Sequence, residues 1–276
     1  MNALTNMLNG KAALMVGGAF DALSARLVER AGFDAVWASG FSISASLGLP
    51  DANVMTASEL VDRVEQLMEA VSIPVIVDCD EGYGSLRSTL RLARQLRTRG
   101  VQGMCIEDNS YPKLNSFLGG VSRALTSSEA FAAKIGAIKD AVPDMVVIAR
   151  TEAIIADLGL DEAVDRGKLY AKSGADVVVL HSAYKHLDEF ETLAHTWRDN
   201  TPLAVIPTMA PEVGFSDLVD LGFRVVIFAN QALRASVLTM EEVLRMLHST
   251  GRLSEIEGRL ATMDHLFELT NLRDVP

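Results

Sequence analysis

The segment SGADVVVLHS, residues 173–182, contains the pattern that decides the fold. Gly174 stands where a helix would end, and the apolar run VVVL begins three residues later, at Val177. Continuous Val-rich runs of this kind are typical of parallel strands that are covered on both faces. The run then ends in two polar side chains, His181 and Ser182. The same order of glycine, apolar run and polar end recurs in LGFRVVIFAN, residues 221–230, and in weaker form elsewhere along the chain.

Eight apolar runs have the length and composition of strands. They cover residues 13–19, 35–40, 74–80, 103–108, 145–151, 176–182, 203–208 and 224–230. Helical patterns lie between them, and Gly32, Gly100, Gly174 and Gly222 are placed to end helices just before a strand. Three capping boxes predict helix starts, namely Thr56 with Glu59, Thr126 with Glu129, and Thr239 with Glu242.

Strand and helix alternating eight times in 276 residues predict an α/β fold, a (β/α)8 barrel of the TIM type that forms a single domain over residues 1–276. A doubly wound open sheet is the alternative. The first strand runs into VGGAFDA, residues 16–22, which lacks the GxGxxG fingerprint of dinucleotide-binding sheets. One more amphipathic segment, residues 253–272, predicts an extra C-terminal helix. Because its apolar face needs a cover, we expect a neighbouring subunit and therefore a homo-oligomer.

The overall composition excludes several classes of function. The net charge is −11, which argues against nonspecific nucleic-acid binding, since that requires a basic surface. No apolar run reaches the roughly 18 residues of a membrane span, and the N-terminus does not resemble a signal peptide. Cys79 and Cys105 both lie in strand-like runs, where buried, reduced thiols are expected. We therefore expect a cytoplasmic protein with no membrane or nucleic-acid partner.

Three acidic residues mark the ends of two neighbouring strands. Asp78 and Asp80 are two apart in VDCDEGYGS, residues 77–85, so on a strand their side chains point to the same face. Glu107 ends the next strand. In a barrel such carboxyl ends meet at one rim. Close carboxylates repel each other unless a cation lies between them, and hard oxygen ligands suit Mg²⁺. The sequence therefore predicts a magnesium site.

Cations are expected to face these carboxylates. Arg150 and His181 end two further strands, and Lys113 lies in the long loop 109–127 with Asn115 and Ser116. Carboxylates and cations around one mouth predict a small anionic substrate that is chelated to the metal. The loop is far longer than the usual strand-to-helix connection, and we predict that it is an active-site lid. Taken singly, Glu81, Asp108, Ser182 and Thr208 are interpreted as structural residues.

Several segments resemble one known family in the same order over residues 19–236. They are VWASGFSISASLGLPDAN (36–53), DCDEGYG (78–84), EDNSYPKLNSF (107–117), IARTEA (148–153), LHS (180–182) and ANQALRAS (229–236). The sequence resembles the phosphoenolpyruvate mutase branch of the isocitrate lyase/phosphoenolpyruvate mutase superfamily. The resemblance implies an α/β barrel whose last helix is swapped between subunits of a dimer or a dimer of dimers. It also implies Mg²⁺ and the interconversion of phosphoenolpyruvate and 3-phosphonopyruvate, which makes a carbon–phosphorus bond for phosphonate biosynthesis.

The resemblance also implies roles for individual residues. Asp78 resembles the direct metal ligand, and Asp80 and Glu107 resemble the groups that hold the metal's waters. Substrate-binding roles are implied for Trp37, Ser39, Gly40 and Ser116. Catalytic roles are implied for Asp51, Lys113, Asn115, Arg150 and His181.

The chain departs from the family pattern at Glu81, Ser85 and Asn109, where threonine or alanine, asparagine, and lysine are usual. A coupled exchange of charge between positions 81 and 109 is one interpretation, and tuning of the substrate is another. Phosphonopyruvate hydrolase is the first alternative function, although that branch typically carries threonine at the position of Asn115. A C–C lyase of the isocitrate or methylisocitrate type is the second, although such lyases carry a lid cysteine that this chain lacks. A non-catalytic barrel is the third.

Overall fold

Eight parallel strands form a closed barrel in the computed structural model, which describes residues 2–10, 12–120 and 122–274. The strands are β1 Leu14–Ala19, β2 Ala35–Ala38, β3 Val75–Asp78, β4 Gly103–Glu107, β5 Val146–Thr151, β6 Val177–Leu180, β7 Leu203–Val205 and β8 Val225–Phe228. Each strand pairs with the next, and β8 pairs with β1 to close the sheet. The predicted TIM-type barrel is confirmed, and each strand lies within its predicted run.

Helices cover the outside of the barrel and its amino end. They are α1 Ala3–Asn9, α2 Ala22–Arg30, α3 Gly40–Ser46, α4 Ala57–Ala70, α5 Leu86–Thr98, α6 Ser128–Ala141, α7 Gly159–Lys172, α8 Leu187–Thr196, α9 Phe215–Asp220, α10 Gln231–Thr250 and α11 Met263–Leu269. Short 3-10 turns lie at Leu253–Glu255, Glu257–Arg259 and Leu272–Asp274. Among the described residues, no helix combines the length and apolar character needed to cross a membrane.

Glycines end the helices as predicted, because each adopts the left-handed conformation that a side chain disfavours. Gly174 has φ of +105° and donates its N–H to the carbonyl of Ala171 at 3.0 Å, and Gly32, Gly100 and Gly222 also have positive φ. The capping boxes are only partly confirmed. Thr56 and Glu59 cap each other at the start of α4. Ser127 caps α6 in place of Thr126, and Thr239 lies inside the continuous helix α10.

The predicted single helix over residues 253–272 is wrong. Gly251, at φ +61°, ends α10, and two 3-10 turns follow before the seven-residue helix α11 begins after its N-cap Thr262. Gly258 lies within this stretch and, as a poor helix former, weakens a continuous helix there. Ile256 and Leu269 are the buried apolar side chains of the segment. The long helix at this end of the chain is therefore α10.

Two apolar cores fix the position of the barrel mouth. The barrel interior contains Trp37 and Cys105, and Leu4 of α1 packs into the same cluster from the amino end. The second core lies between strands and helices, and it includes Cys79. Both cysteines are buried and free, as expected, and Cys79 packs in the core between strands and helices. Because α1 fills the amino end, the carboxyl ends of the strands are left to form a site.

Candidate active site

A cavity of about 510 Å³ opens at the carboxyl ends of the strands. Nine of the predicted site residues line it, namely Trp37, Ser39, Asp51, Asp78, Lys113, Asn115, Ser116, Arg150 and His181. Gly40, Asp80 and Glu107 lie directly behind them, in contact with lining residues. The structure therefore brings all the predicted site residues together around one mouth.

The two aspartates of the β3 end face the same point for a reason that differs from the prediction. The strand ends at Asp78, and Asp80 lies in a tight turn with φ of +50°, so strand alternation does not apply. A Cβ built on Gly40 would lie 3.2 Å from Asp80 Oδ1 and 3.5 Å from Asp78 Oδ2. Both carboxylates therefore face Gly40, and a side chain at position 40 would press against them.

Lys113 provides the positive charge at this cluster. Its Nζ lies 2.5 Å from Asp80 Oδ1, as an ion pair without the alignment of a hydrogen bond, and 3.0 Å from Asp51 Oδ1. Burial lowers the pKa of Lys113, but the surrounding carboxylates outweigh it and hold the pKa well above its ordinary value. Burial raises the pKa of Asp78 to about 6, although Lys113 and Arg150 act in the opposite direction. The cluster is thus an excess of buried acid around one buried ammonium.

The acidic residues fit a magnesium ion by their donor chemistry. Asp78, Asp80 and Glu107 offer only carboxylate oxygens, and Oε2 of Glu107 is buried without a hydrogen-bond donor. Within residues 2–10, 12–120 and 122–274, no three acidic, histidine or cysteine side chains converge closely enough to enclose a metal on their own. Mg²⁺ characteristically keeps several waters and takes one or two carboxylates directly. Asp78 lines the cavity, and Asp80 and Glu107 lie behind it, so this set of donors fits such an ion.

The opposite wall is a buried network of Arg150, Glu152 and His181. Arg150 Nε contacts Glu152 Oε1 closely and lies 3.4 Å from Glu107 Oε2. His181 Nδ1 lies 2.8 Å from Glu152 Oε1. Burial and Arg150 lower the pKa of His181, so the imidazole is neutral at pH 7. Nδ1 also lies 3.0 Å from Arg150 Nη2, so this nitrogen stands between a hydrogen-bond donor and an acceptor, and its role depends on the tautomer.

Glu152 is a rim residue, at the end of the fifth strand, to which the sequence assigned no role. Burial alone would raise its pKa, but Arg150 and His181 outweigh burial and lower it, so the carboxylate stays charged. It holds both the guanidinium and the imidazole that line the cavity. The available signal was its place in IARTEA, two residues after Arg150 at the end of β5.

The segment 109–127 lies against the mouth; its residue 121 is outside the described residues. Asn115 binds Asp51 twice, through Nδ2 to Oδ2 at 2.7 Å and through its backbone N–H to the carbonyl at 3.1 Å. Ser116 Oγ accepts from Arg150 Nη2 at 2.8 Å. The ring of Phe117 packs edge-on against His181 at 5.5 Å. The segment therefore contacts both walls of the cavity.

The three departures from the family pattern have separate partners. Glu81 is buried and accepts from Asn53 Nδ2 and from the backbone N–H of Gly84, each at 3.0 Å. Asn109 Nδ2 donates to Glu107 Oε1 at 2.7 Å. Ser85 caps α5 by accepting from the N–H of Ser88. These contacts do not join positions 81 and 109, so they give no support to a coupled exchange.

Asp108 has a structural role, as the sequence predicted for it. Its carboxylate accepts from Tyr170 OH and Thr151 Oγ1, at 2.7 and 2.8 Å, and from the backbone N–H of Glu152 at 2.8 Å. Arg166 Nη1 also binds it, at 3.1 Å, and donates to the carbonyl of Thr126 at 2.9 Å. This hub ties the end of β5 to α7 and to the end of the 109–127 segment.

The sequence model of the family described as phosphoenolpyruvate phosphomutase matches residues 4–248, nearly the whole barrel.

The chain belongs to the phosphoenolpyruvate phosphomutase family.

Solved structures of this family are closely similar. A phosphoenolpyruvate phosphomutase from Streptomyces platensis subsp. rosaceus is 37% identical, with a TM-score of 0.95 over 98% of this chain and 95% of that one. A phosphonopyruvate hydrolase, solved in complex with oxalate and Mg²⁺, is 34% identical, with a TM-score of 0.92 over 99% of this chain and 95% of that one. Membership makes this chain an enzyme of a barrel superfamily that includes metal-dependent members.

Relatives with other activities lie at comparable distance. A 2-methylisocitrate lyase from Halalkalibacterium halodurans is 31% identical over 97% of this chain and 88% of its own length. Fold and family are therefore shared by mutases, hydrolases and lyases. The choice between the three reactions has to be argued from the residues around the cavity.

Proposed function

We propose that this member of the phosphoenolpyruvate phosphomutase family is a Mg²⁺-dependent mutase that interconverts phosphoenolpyruvate and 3-phosphonopyruvate. The observation that carries the proposal is the placement of Asn115. Its amide is anchored on Asp51 at the cavity wall, within a segment that contacts both sides of the mouth. A phosphoryl group that migrates from oxygen to carbon must be shielded from water, and an anchored segment over the mouth supplies that shield.

The other residues have roles that follow from their charge and position. Asp78 would hold Mg²⁺ directly, with Asp80 and Glu107 on its waters, and the bound ion supplies positive charge that stabilises the enolate of pyruvate. Glu152 holds the guanidinium of Arg150 in place at the cavity. A guanidinium suits a carboxylate or phosphoryl oxygen of the substrate. Trp37, Ser39 and Ser116 line the substrate pocket, and Gly40 lies directly behind them. Asn115 Nδ2 has two hydrogens, and the bond to Asp51 uses one of them.

The alternatives differ at the same segment. A hydrolase must admit a water molecule to the phosphoryl group, and threonine is typical at the position of Asn115 in that branch. A lyase of this type needs a cysteine in the segment as its general acid. This segment contains Lys113, Asn115 and Ser116 but no cysteine. Both residue comparisons favour the mutase. A non-catalytic barrel has no use for several buried acids facing a buried arginine.

Phosphorus NMR of the purified protein with phosphonopyruvate and Mg²⁺ tests the proposal. We expect the phosphonate signal to be replaced by that of phosphoenolpyruvate. Free phosphate formed without phosphoenolpyruvate on the way would replace the mutase with a hydrolase. Asp78→Ala, with fold and oligomer retained, is expected to lose turnover, and unchanged turnover would overturn the metal assignment.

We also propose that the enzyme is a homo-oligomer in which α10 packs on a neighbouring subunit. Leu233 is the buried residue of α10, whereas Leu238 and Leu244 are 68% and 63% exposed. A largely apolar cavity of about 520 Å³ lies between α2 and the start of α10, and Leu23 and Leu27 are exposed along it. An exposed apolar helix and an exposed apolar groove on one chain suit an exchange between two copies.

A further inference from the structure

We propose that Glu81 is a positioning residue that, acting through Asn53, fixes the 109–127 segment over the cavity. The chain of contacts has two links. Glu81 Oε2 accepts from Asn53 Nδ2 at 3.0 Å. Asn53 Oδ1 then accepts from the backbone N–H of Lys113 at 2.5 Å. Neither Glu81 nor Asn53 lines the cavity, so both act on it through Lys113.

The polarity of Glu81 determines which way the amide of Asn53 points. A carboxylate only accepts hydrogen bonds, whereas an asparagine amide offers a donor end and an acceptor end. Glu81 is 1% exposed, and its other oxygen, Oε1, is already used by the N–H of Gly84 at 3.0 Å. The bond to Oε2 therefore commits the NH₂ of Asn53 and leaves its oxygen for Lys113. A neutral residue at position 81 would not impose that direction.

The backbone around this link is built to keep it in place. Asn53 has φ of +54°, a left-handed conformation that asparagine tolerates better than most residues. Lys134 Nζ donates to the carbonyl oxygen of Glu81 at 2.7 Å, and this ammonium lies close enough to balance part of the buried charge. The turn that contains Glu81 and the helix α6 both hold Glu81 in place, so that it can in turn fix Asn53.

The link from Glu81 through Asn53 determines where the ammonium of Lys113 lies in the site. The backbone of Lys113 is fixed by Asn53, and its Nζ contacts Asp51 and Asp80. A shift of this backbone would move the ammonium away from the acids and loosen the neighbouring anchor at Asn115. The inference rests on the proposed role of the 109–127 segment as a lid. It concerns the position of that segment and holds for whichever reaction the cavity performs.

Amide hydrogen exchange in the free enzyme, read residue by residue, tests the inference without any substrate. Glu81→Gln keeps the size of the side chain but leaves one accepting oxygen for two donors. We expect the amide of Lys113 to exchange about fivefold faster, as for the loss of one ordinary hydrogen bond. An unchanged rate at Lys113 would overturn the proposal.

The reciprocal pair separates positioning from a merely structural role. In Glu81→Gln with Asn53→Asp, the new amide can donate to the new carboxylate, whose second oxygen can still accept from Lys113. The net charge is the same as in the wild type. We expect this double variant to restore slow exchange at Lys113. If Glu81 serves only its own turn, the second change brings no rescue, and the proposal fails.

Asn53→Ala provides a second route if Glu81→Gln does not fold. This change leaves the bond between Glu81 and the N–H of Gly84 in place, so the Gly84 amide is an internal control. We expect the amide of Lys113 to exchange faster than in the wild type and the amide of Gly84 to exchange at the wild-type rate. Equal rates at Lys113 in the variant and the wild type would contradict the link. Because no turnover is measured, a failure here is distinct from a failure of the mutase proposal.

Discussion

At the scale of single residues, His181 is a buried imidazole held between a cation and an anion. Its Nδ1 lies 3.0 Å from Arg150 Nη2 and 2.8 Å from Glu152 Oε1. Burial and the charge of Arg150 lower its pKa, while Glu152 acts in the opposite direction. A neutral imidazole keeps one ring nitrogen that can accept a proton or a hydrogen bond. An imidazolium there could only donate.

This depressed pKa predicts how stability depends on pH. The unfolded chain binds a proton at His181 near pH 6.5, and the folded enzyme binds it only at lower pH. The folded state is therefore favoured above pH 6.5, and that advantage is lost as the pH falls below it, with a limiting slope of about 1.4 kcal/mol per pH unit. His181→Asn keeps a donor for Glu152 but does not titrate. Urea unfolding between pH 8 and pH 5 should show the wild type losing stability relative to this variant. Parallel curves would contradict the assignment.

The sequence predicted which residues meet at the site better than it predicted how they meet. Polar side chains at strand ends are readable because a barrel collects those ends at one rim. The direction of Asp80 was not readable, since its φ of +50° belongs to a turn that packing stabilises. Nor were the links of Glu81 to Asn53 or of Glu152 to His181. Those contacts join residues that are 28 and 29 positions apart, and hydrophobic periodicity carries no information about them.

At the scale of elements, the turn between β3 and α5 holds the acids in place. Gly82 and Gly84 have φ of +96° and +99°, and they differ in their surroundings. A Cβ on Gly82 would lie 2.5 Å from Thr89 Oγ1, which itself donates to the Gly82 carbonyl at 2.8 Å. A Cβ on Gly84 would meet open space. The two glycines therefore form a matched pair that separates backbone strain from steric overlap.

We expect Gly84→Ala to lower the free energy of unfolding by about 1 to 2 kcal/mol through strain alone. Gly82→Ala should cost about 2 kcal/mol more, because Thr89 cannot move aside without giving up its hydrogen bond. Urea titrations of both variants measure the difference. Equal losses would mean that Thr89 yields freely and that the turn is not fixed by α5.

The elements themselves were predictable where one local signal dominated. The eight strands are recognisable from continuous apolar runs, which parallel strands need because both faces of the sheet are covered. Helix α3 was missed since GFSISAS has weak helix formers, and it depends on Ser39 as its cap and on burial of Ile43. Helix α1 was missed because seven residues give too little periodicity. Its stability comes from Leu4 packing into the barrel interior, which is a tertiary contact.

At the scale of the whole molecule, charge and apolar surface are distributed unevenly. The chain carries a net charge of −11, yet Lys113 and Arg150 are buried in the mouth of the barrel. The proposed anionic substrate would therefore meet a repulsive general field and a locally favourable site, and a bound divalent cation would strengthen that local attraction. Exposed leucines occur on α2 and α10, and they are not among the residues that line this mouth. We propose that the first surface serves catalysis and the second serves assembly.

The assembly proposal makes a prediction that activity does not confound. Leu244→Asp places a charge on the exposed apolar face of α10, which should not disturb the folded subunit because the side chain is 63% exposed. If this face packs on a neighbouring copy, burying an unpaired carboxylate there is strongly unfavourable. Analytical ultracentrifugation should then find a smaller species than the wild type at equal concentration, with unchanged circular dichroism. Glu241→Gln, an exposed change on the same helix, is the control and should keep the wild-type size. A wild type that sediments as a monomer, or a Leu244→Asp variant that assembles normally, would remove α10 from the interface.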